Sequence, residues 1–292
     1  MSGVDTGTSP EHSARASLQI SVGQFPAIED KAANLAAVRE LAARAAAAGS
    51  RVLILPEMAM YHRVLASVTE GVAAAEDLDG PFATEVLRLS REHGLFIAAG
   101  MSKRVPGVVD ADRALNILLL VDRGEIVAEY EKIHLYDAFA VKESDSITPG
   151  DALPPVLDID GVRVGFAICY DLRFPELFRL LIDQGAEVLA ISAAWARGVV
   201  KEDHWLALLR ARAIENTAYV FASDEVSVKS VGRSVIFDPL GLQLGDAGEQ
   251  ELALITATVE PERIAAVRST LPSLRNRRVA VEARVHPLPP AD

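Results

Sequence analysis

The chain has 292 residues, half of them hydrophobic, so it is long enough to bury roughly three-quarters of its unfolded surface in a sizeable core. Its net charge of −12 places an electrostatic penalty on phosphate backbones and anionic membranes. The strongest apolar runs, Ile117 to Val121 and Val188 to Ile191, are too short to span a bilayer, and neither nucleic acid nor membrane is expected as a partner.

The polar stretch Met1 to Ala16 lacks an apolar signal region and is expected to be a flexible tail. One cysteine cannot form an internal disulfide, which fits a reducing cytoplasm. Ser17 to Gln24 reads as a strand, and Asp30 to Ala48 as a helix stopped by Gly49. Arg51 to Leu55 is a continuous apolar strand closed by Pro56. Phe82 to His93 is a second helix, stopped by Gly94, and Leu95 to Met101 a strand. Asn116 to Val121 and Ile126 to Lys132 form a hairpin across Asp122-Arg123-Gly124. The loop from His134 to Pro154 is long enough to suggest a functional role.

Val156 to Ile159 and Val162 to Ile168 flank a turn at Asp160-Gly161, and the second strand delivers Cys169 at its end. A helix from Phe174 to Gln184 stops at Gly185, followed by a strand at Val188 to Ile191, a helix at His204 to Asn216 and a strand at Tyr219 to Ala222. Ser234 to Phe237 and Leu252 to Val259 read as a final hairpin about Asp238-Pro239-Leu240-Gly241, before a helix at Pro261 to Ser269. No linker-like break divides residues 17–292, which are expected to form one domain of mixed sheets with helices outside.

A thiol at the carboxyl end of a buried strand, with a helix starting just beyond, stands where open sheets bind substrates. Cys169 is thus either a small buried filler or a nucleophile. The six histidines show no pairing with it and no metal-ligand spacing, so no metal or cofactor is expected. A carboxylate can serve as base where a nearby cation and a dry site set its pKa. Glu57 follows the strand closed by Pro56, and Lys132 ends its own strand; taken singly, they read equally as a loop acid and a surface lysine.

Together, Leu55-Pro56-Glu57, Tyr130-Glu131-Lys132-Ile133-His134-Leu135 and Cys169-Tyr170-Asp171-Leu172-Arg173-Phe174-Pro175-Glu176 resemble the nitrilase, or carbon-nitrogen hydrolase, superfamily. Glu143-Ser144-Asp145 before Thr148-Pro149-Gly150 is similar to the segment carrying its second glutamate. Leu209 to Asn216, Asp238 to Gly241 and Asn276 to Arg278 extend the likeness over about Ser17 to Arg278.

The resemblance implies an α/β fold, a four-layer αββα sandwich of two mixed sheets face to face with helices outside, and pairing into a homodimer or larger assembly. It implies Glu57 as proton shuttle, Lys132 and the backbone N–H of Tyr170 as oxyanion partners, Cys169 as nucleophile and Glu143 as an added acid positioning Lys132 or the amide. Trp195 is either a pocket wall or a packed core residue, and Tyr61, Met60 and Phe139 are further wall candidates. His134 is expected to orient its strand end. Arg173 and Glu176 are expected to be an ion pair or helix start, and Arg210, Arg212 and Glu215 to be structural.

The implied reaction is hydrolysis of a small aliphatic or omega-carboxyl amide to acid and ammonia through a Cys169 thioester, with the amide and water as small-molecule partners. The alternatives are an N-carbamoyl (ureido) acid hydrolase with the same triad and a non-catalytic binding or regulatory member of the fold.

Overall fold

The computed structural model describes residues 15–62, 68–108, 112–139, 141–282 and 284–286. Most of the segment expected to be a loose tail, residues 1–14, lies outside these, as does Ala140 of the long loop. Arg15 is described, and its guanidinium pairs with both oxygens of Glu187 at 2.6 and 2.7 Å.

The elements run in order β1 (Leu18–Gln24), α1 (Lys31–Ala47), β2 (Val52–Ile54), α2 (Val68–Ala73), α3 (Pro81–His93), β3 (Phe96–Arg104), β4 (Ala114–Asp122) and β5 (Glu125–Glu131). The long loop contains the short strands β6 (Asp137–Ala138), β7 (Val141–Lys142) and β8 (Ile147–Thr148), with a 3-10 turn at Glu143–Asp145. Then follow β9 (Val156–Ile159), β10 (Val162–Ile168), a 3-10 turn at Cys169–Arg173, α4 (Pro175–Asp183), β11 (Val188–Ala193) and α5 (Lys201–Asn216). The last elements are β12 (Tyr219–Asp224), β13 (Val235–Phe237), β14 (Gln243–Asp246), β15 (Ala253–Val259) and α6 (Pro261–Thr270).

Local chemistry sets the helix ends. Asp30 caps α1 by accepting from the amides of Ala32 and Ala33. Gly94 takes the left-handed conformation that ends α3, at φ 66°.

Among the described residues, one sheet runs β15-β1-β2-β3-β4-β5 with β8 added beside β4, and the other runs β14-β13-β12-β11-β10-β9. Alternation along each strand assigns its two faces. In β2, Val52 and Ile54 join the cluster between the sheets, while Leu53 joins the cluster beneath α1 and α3. In β4, Leu118 and Leu120 face inward, whereas Ile117, Leu119 and Val121 face the helices. Phe96 and Phe166 stack across the sheet-sheet interface with centroids 5.7 Å apart. Leu177 and Leu209 bring α4 and α5 onto the second sheet, completing the αββα layering.

The expected final hairpin needs correction. β13 pairs with β14, but β15 crosses to the other sheet and runs antiparallel to β1. The sequence reading missed β14 because Gln243-Leu244-Gly245-Asp246 is a polar edge segment without apolar alternation. α5 also begins three residues before the expected His204, after Val200 in a left-handed conformation at φ 54°. Among the described residues, no helix is long and apolar enough to cross a membrane.

Candidate active site

Three strand ends converge on one cavity. Pro56 turns the chain after β2, and Glu57 is locked there by its amide donating to Ala193 O at 3.3 Å and by Gly100 N donating to Pro56 O at 3.2 Å. A Cβ on Gly100 would lie 1.8 Å from the Glu57 carbonyl oxygen, so only glycine lets β3 approach this closely. Lys132 follows β5, with its amide donating to Asn116 O and its carbonyl accepting from Gly150 N, both at 2.9 Å.

β10 delivers Cys169, whose φ of 43° is a left-handed conformation rare for a residue with a side chain. Surrounding bonds hold this sharp turn. Asp171 Oδ2 accepts from Tyr130 Oη and from the Ile168 amide, both at 2.8 Å, while Oδ1 faces His134 Nδ1 at 2.7 Å. His134 stacks on Phe174 with centroids 3.7 Å apart, so it orients the turn after β10 as well as the end of its own strand. Arg212 donates to Leu172 O at 2.7 Å and pairs with Glu215 at 2.9 Å, which gives the expected structural role a specific target.

Lys132 Nζ donates to Glu57 Oε1 at 2.8 Å and to Glu143 at 2.8 and 3.1 Å, so the two expected acids share one buried ammonium. Asn116 Nδ2 bridges the same acids at 2.8 and 3.1 Å, and the Ala194 amide donates to Glu57 Oε2 at 2.9 Å. Glu143 is anchored by the Tyr136 amide at 2.7 Å.

Burial opposes the charge on Glu57, but the Lys132 charge and hydrogen bonds from Lys132, Asn116 and Cys169 outweigh it and hold the carboxyl below its usual value. Burial pulls Lys132 down, yet the charges of Glu143 and Glu57 keep it well above its usual value. Burial and then the Glu57 charge push the Cys169 thiol well up, against the opposing pull of Lys132. The resting arrangement is therefore carboxylate, ammonium and neutral thiol.

The cavity has a volume of about 530 Å³ and is lined by Glu57, Lys132, Glu143, Cys169, Tyr61 and Trp195, among others. Tyr170 reaches the lining, and its amide lies in the first turn of a 3-10 helix, where backbone N–H groups lack intrahelical acceptors. Trp195 is both wall and core, 3% exposed with Nε1 donating to Lys201 O at 2.8 Å. Met60 packs in the cluster beneath the helices instead, and its neighbour Met58 reaches the cavity. Phe139 is 70% exposed and lies outside the lining, its ring 3.6 Å from the Lys201 ammonium and stacked on Tyr136.

Sequence reasoning overlooked four groups. Asn116 had a signal, as the one polar residue in the run Ala114 to Val121. Glu176 does stand in the first turn of α4, but Arg173 makes no ion pair with it; Arg173 lines the cavity with its guanidinium 4.7 Å above the Trp195 ring. Lys201 lines it too, donating to Tyr136 Oη at 2.7 Å. The Ala194 amide is a backbone group and leaves no trace in residue type.

The family model for carbon-nitrogen hydrolases matches residues 16–269. Deaminated glutathione amidase of Escherichia coli is 40% identical over 261 residues, covering 89% of this chain and 97% of the relative. The rat protein of the same name is 31% identical, covering 92% and 85%. A CN-hydrolase superfamily protein from Xanthomonas campestris, solved with an arsenic adduct in its active site, superposes with a TM-score of 0.81 at 26% identity, covering 92% of this chain and all of that one. A glutamate-to-glutamine variant of an amidase from a Nesterenkonia species, with the acetamide moiety of fluoroacetamide added covalently at its active-site cysteine, gives a TM-score of 0.74 at 25% identity, covering 89% and 94%.

Proposed function

The chain belongs to the carbon-nitrogen hydrolase family and is an amidase, and we propose that it hydrolyses a carboxylate-bearing amide through a thioester on Cys169. The observation that carries this reading is that the Glu57 carboxylate, bonded to the Lys132 ammonium at 2.8 Å and held below its usual value, lines the same cavity as the Cys169 thiol.

In the proposed reaction Glu57 takes the thiol proton as sulfur attacks the amide carbon, and the carbonyl π electrons move onto oxygen. Lys132 Nζ and the Tyr170 N–H hold that oxyanion, and one such donor is typically worth roughly 10²–10³ in turnover. The oxyanion collapses, the C–N bond breaks, and protonated Glu57 gives its proton to the departing nitrogen. Water then enters, Glu57 removes its proton, and the resulting tetrahedral oxyanion expels the Cys169 thiolate, which recovers the proton. Glu143 keeps Lys132 charged and fixed throughout.

The acyl group is proposed to carry a carboxylate. Arg173 Nε and Nη2 are buried without a hydrogen-bond partner among the described residues. The Lys201 ammonium, held down by burial and by the Arg173 charge, lines the same cavity. Two cations brought together beside a neutral thiol favour an anion between them. This supports the omega-carboxyl choice over an uncharged aliphatic amide. A charge-assisted bond of this kind is worth about 1.5–3 kcal/mol, or roughly ten- to hundredfold in affinity.

A panel of short amides, omega-carboxyl amides and ureido acids tests it. Arg173→Met is expected to raise KM for omega-carboxyl amides by that factor while leaving kcat and uncharged amides nearly unchanged. Equal losses on both classes contradict the assignment, and release of carbon dioxide with ammonia from ureido acids favours the carbamoyl alternative. The cavity volume favours one second reading, a leaving amine larger than ammonia, in keeping with relatives named for deaminated glutathione. Identification of the amine released from a secondary amide separates that reading from ammonia release.

A further inference from the structure

Beyond the groups that touch substrate, one buried acid stands at the junction of the base and the cavity wall. Asp224 ends β12, directly opposite Ala193 at the end of the parallel strand β11, and is fully buried. Its Oδ1 accepts from the Trp195 amide at 2.7 Å. One residue earlier, the Ala194 amide donates to Glu57 Oε2 at 2.9 Å. Ala193 O, one residue earlier again, accepts from the amides of both Glu57 and Glu225, at 3.3 and 3.0 Å. The three-residue turn is thus tied at successive peptides to Glu57 on one side and to the Asp224 strand end on the other.

We propose that Asp224 is a positioning residue for the reaction: its Oδ1 grips the Trp195 amide and so aims the Ala194 N–H at the base Glu57 while holding the indole that walls the cavity. The inference rests on Glu57 as base and goes beyond it, because Asp224 reaches the base only through backbone.

The alternative is a generic brace of the sheet edge, and two observations argue for something more specific. The backbone around Asp224 is already secured, its amide donating to Ser234 Oγ at 2.9 Å and Trp195 O accepting from Val231 N at 2.8 Å. The Asp224 side chain takes the Trp195 amide, the N–H of the peptide next after the one whose N–H goes to Glu57. In addition, the other carboxyl oxygen, Oδ2, is buried with no hydrogen-bond partner among the described residues, and no cation is placed against it by the salt bridges found there. A charge there would be uncompensated.

The groups facing it are acids, Glu225 next in the chain with His62 against it and Glu57 across the turn. Burial, followed by the charges of Glu225 and Glu57, pushes the carboxyl well up, in keeping with a neutral acceptor. A neutral acid accepts the amide bond without adding a second negative charge beside Glu57 and Cys169. An ionised Asp224 would raise the Cys169 thiol further and oppose thiolate formation, and its charge would work against the ionised Glu57.

The test compares Asp224→Asn, which keeps a neutral acceptor of the same shape, with Asp224→Leu, which removes it. The readouts are kcat, KM and the acidic limb of kcat/KM against pH, with melting temperature as a check of folding. Asp224→Asn is expected to keep kcat within about threefold and leave the acidic limb in place. Asp224→Leu is expected to lower kcat roughly ten- to hundredfold, the scale of a misplaced catalytic contact.

The sign of the pH effect follows from Glu57. Losing the Ala194 donor removes a bond to the charged form, so the Glu57 carboxyl rises and the acidic limb moves to higher pH. A role confined to stability lowers the melting temperature and leaves that limb unmoved. An active Asp224→Leu with an unmoved limb, or a folded but inactive Asp224→Asn, overturns the proposal. Should Asp224→Leu not fold, Asp224→Asn decides alone, an unchanged limb supporting the neutral acceptor and a shifted one rejecting it. Glu57→Gln measured alongside separates the two levels: activity surviving there removes Glu57 as base, whereas its loss beside an active Asp224→Leu removes only Asp224.

Discussion

A thiol beside a carboxylate can rest with its proton on either atom, and the surroundings of Cys169 and Glu57 favour sulfur. Burial and the Glu57 charge raise the thiol, while Lys132 and Asn116 stabilise the carboxylate. Cys169 is the sole cysteine, so ultraviolet thiolate absorbance near neutral pH, where tyrosines stay protonated, reports on it without interference from another thiol. Titration of the free enzyme is expected to show no thiolate at neutral pH. Removing the carboxylate in Glu57→Gln should let thiolate form at lower pH than in the native chain, because the raising influence is lost and the Lys132 charge remains. Thiolate absorbance in the native enzyme at neutral pH contradicts this assignment of the proton. At this scale Glu57, Lys132 and Cys169 were legible because each occupies a strand end within a spaced motif. Arg173 was not, because an arginine beside a glutamate three residues on reads as a local pair until the fold turns one inward and leaves the other exposed.

At the scale of elements, the site depends on strands approaching more closely than side chains allow. Gly100 is where β3 passes the Glu57 backbone, and a methyl group there must displace it. Gly100→Ala is expected to cost about 1–3 kcal/mol in stability and to lower kcat by roughly a hundredfold through displacement of Glu57. Thermal melting and steady-state kinetics check both, and native-like kcat in the folded variant contradicts the packing argument. Most strands and helices could be read from periodicity and from glycine stops such as Gly49 and Gly94. β14 could not, being polar and at a sheet edge, nor could the short strands of the long loop, which are held by pairing rather than by apolar pattern. The route of β15 to the first sheet was equally hidden, since alternation tells which face a residue takes and not which strand lies beside it.

Across the whole molecule, the two sheets place three strand ends from different parts of the chain around one cavity, Glu57 after β2, Lys132 after β5 and Cys169 after β10. The layering was legible through the family likeness of those motifs; composition alone led only to mixed sheets with helices outside. A chain of net charge −12 nevertheless gathers Lys132, Arg173 and Lys201 at the cavity, so the local field there opposes the overall one. By this proposal the convergence makes the Cys169 sulfur the atom that carries the acyl group. The most direct measurement is mass spectrometry of enzyme quenched during turnover of a slow amide. An added acyl mass is expected at Cys169, and its absence, with loss of hydrolysis, in Cys169→Ala. Acylation found only at another residue, or hydrolysis undiminished in Cys169→Ala, contradicts it.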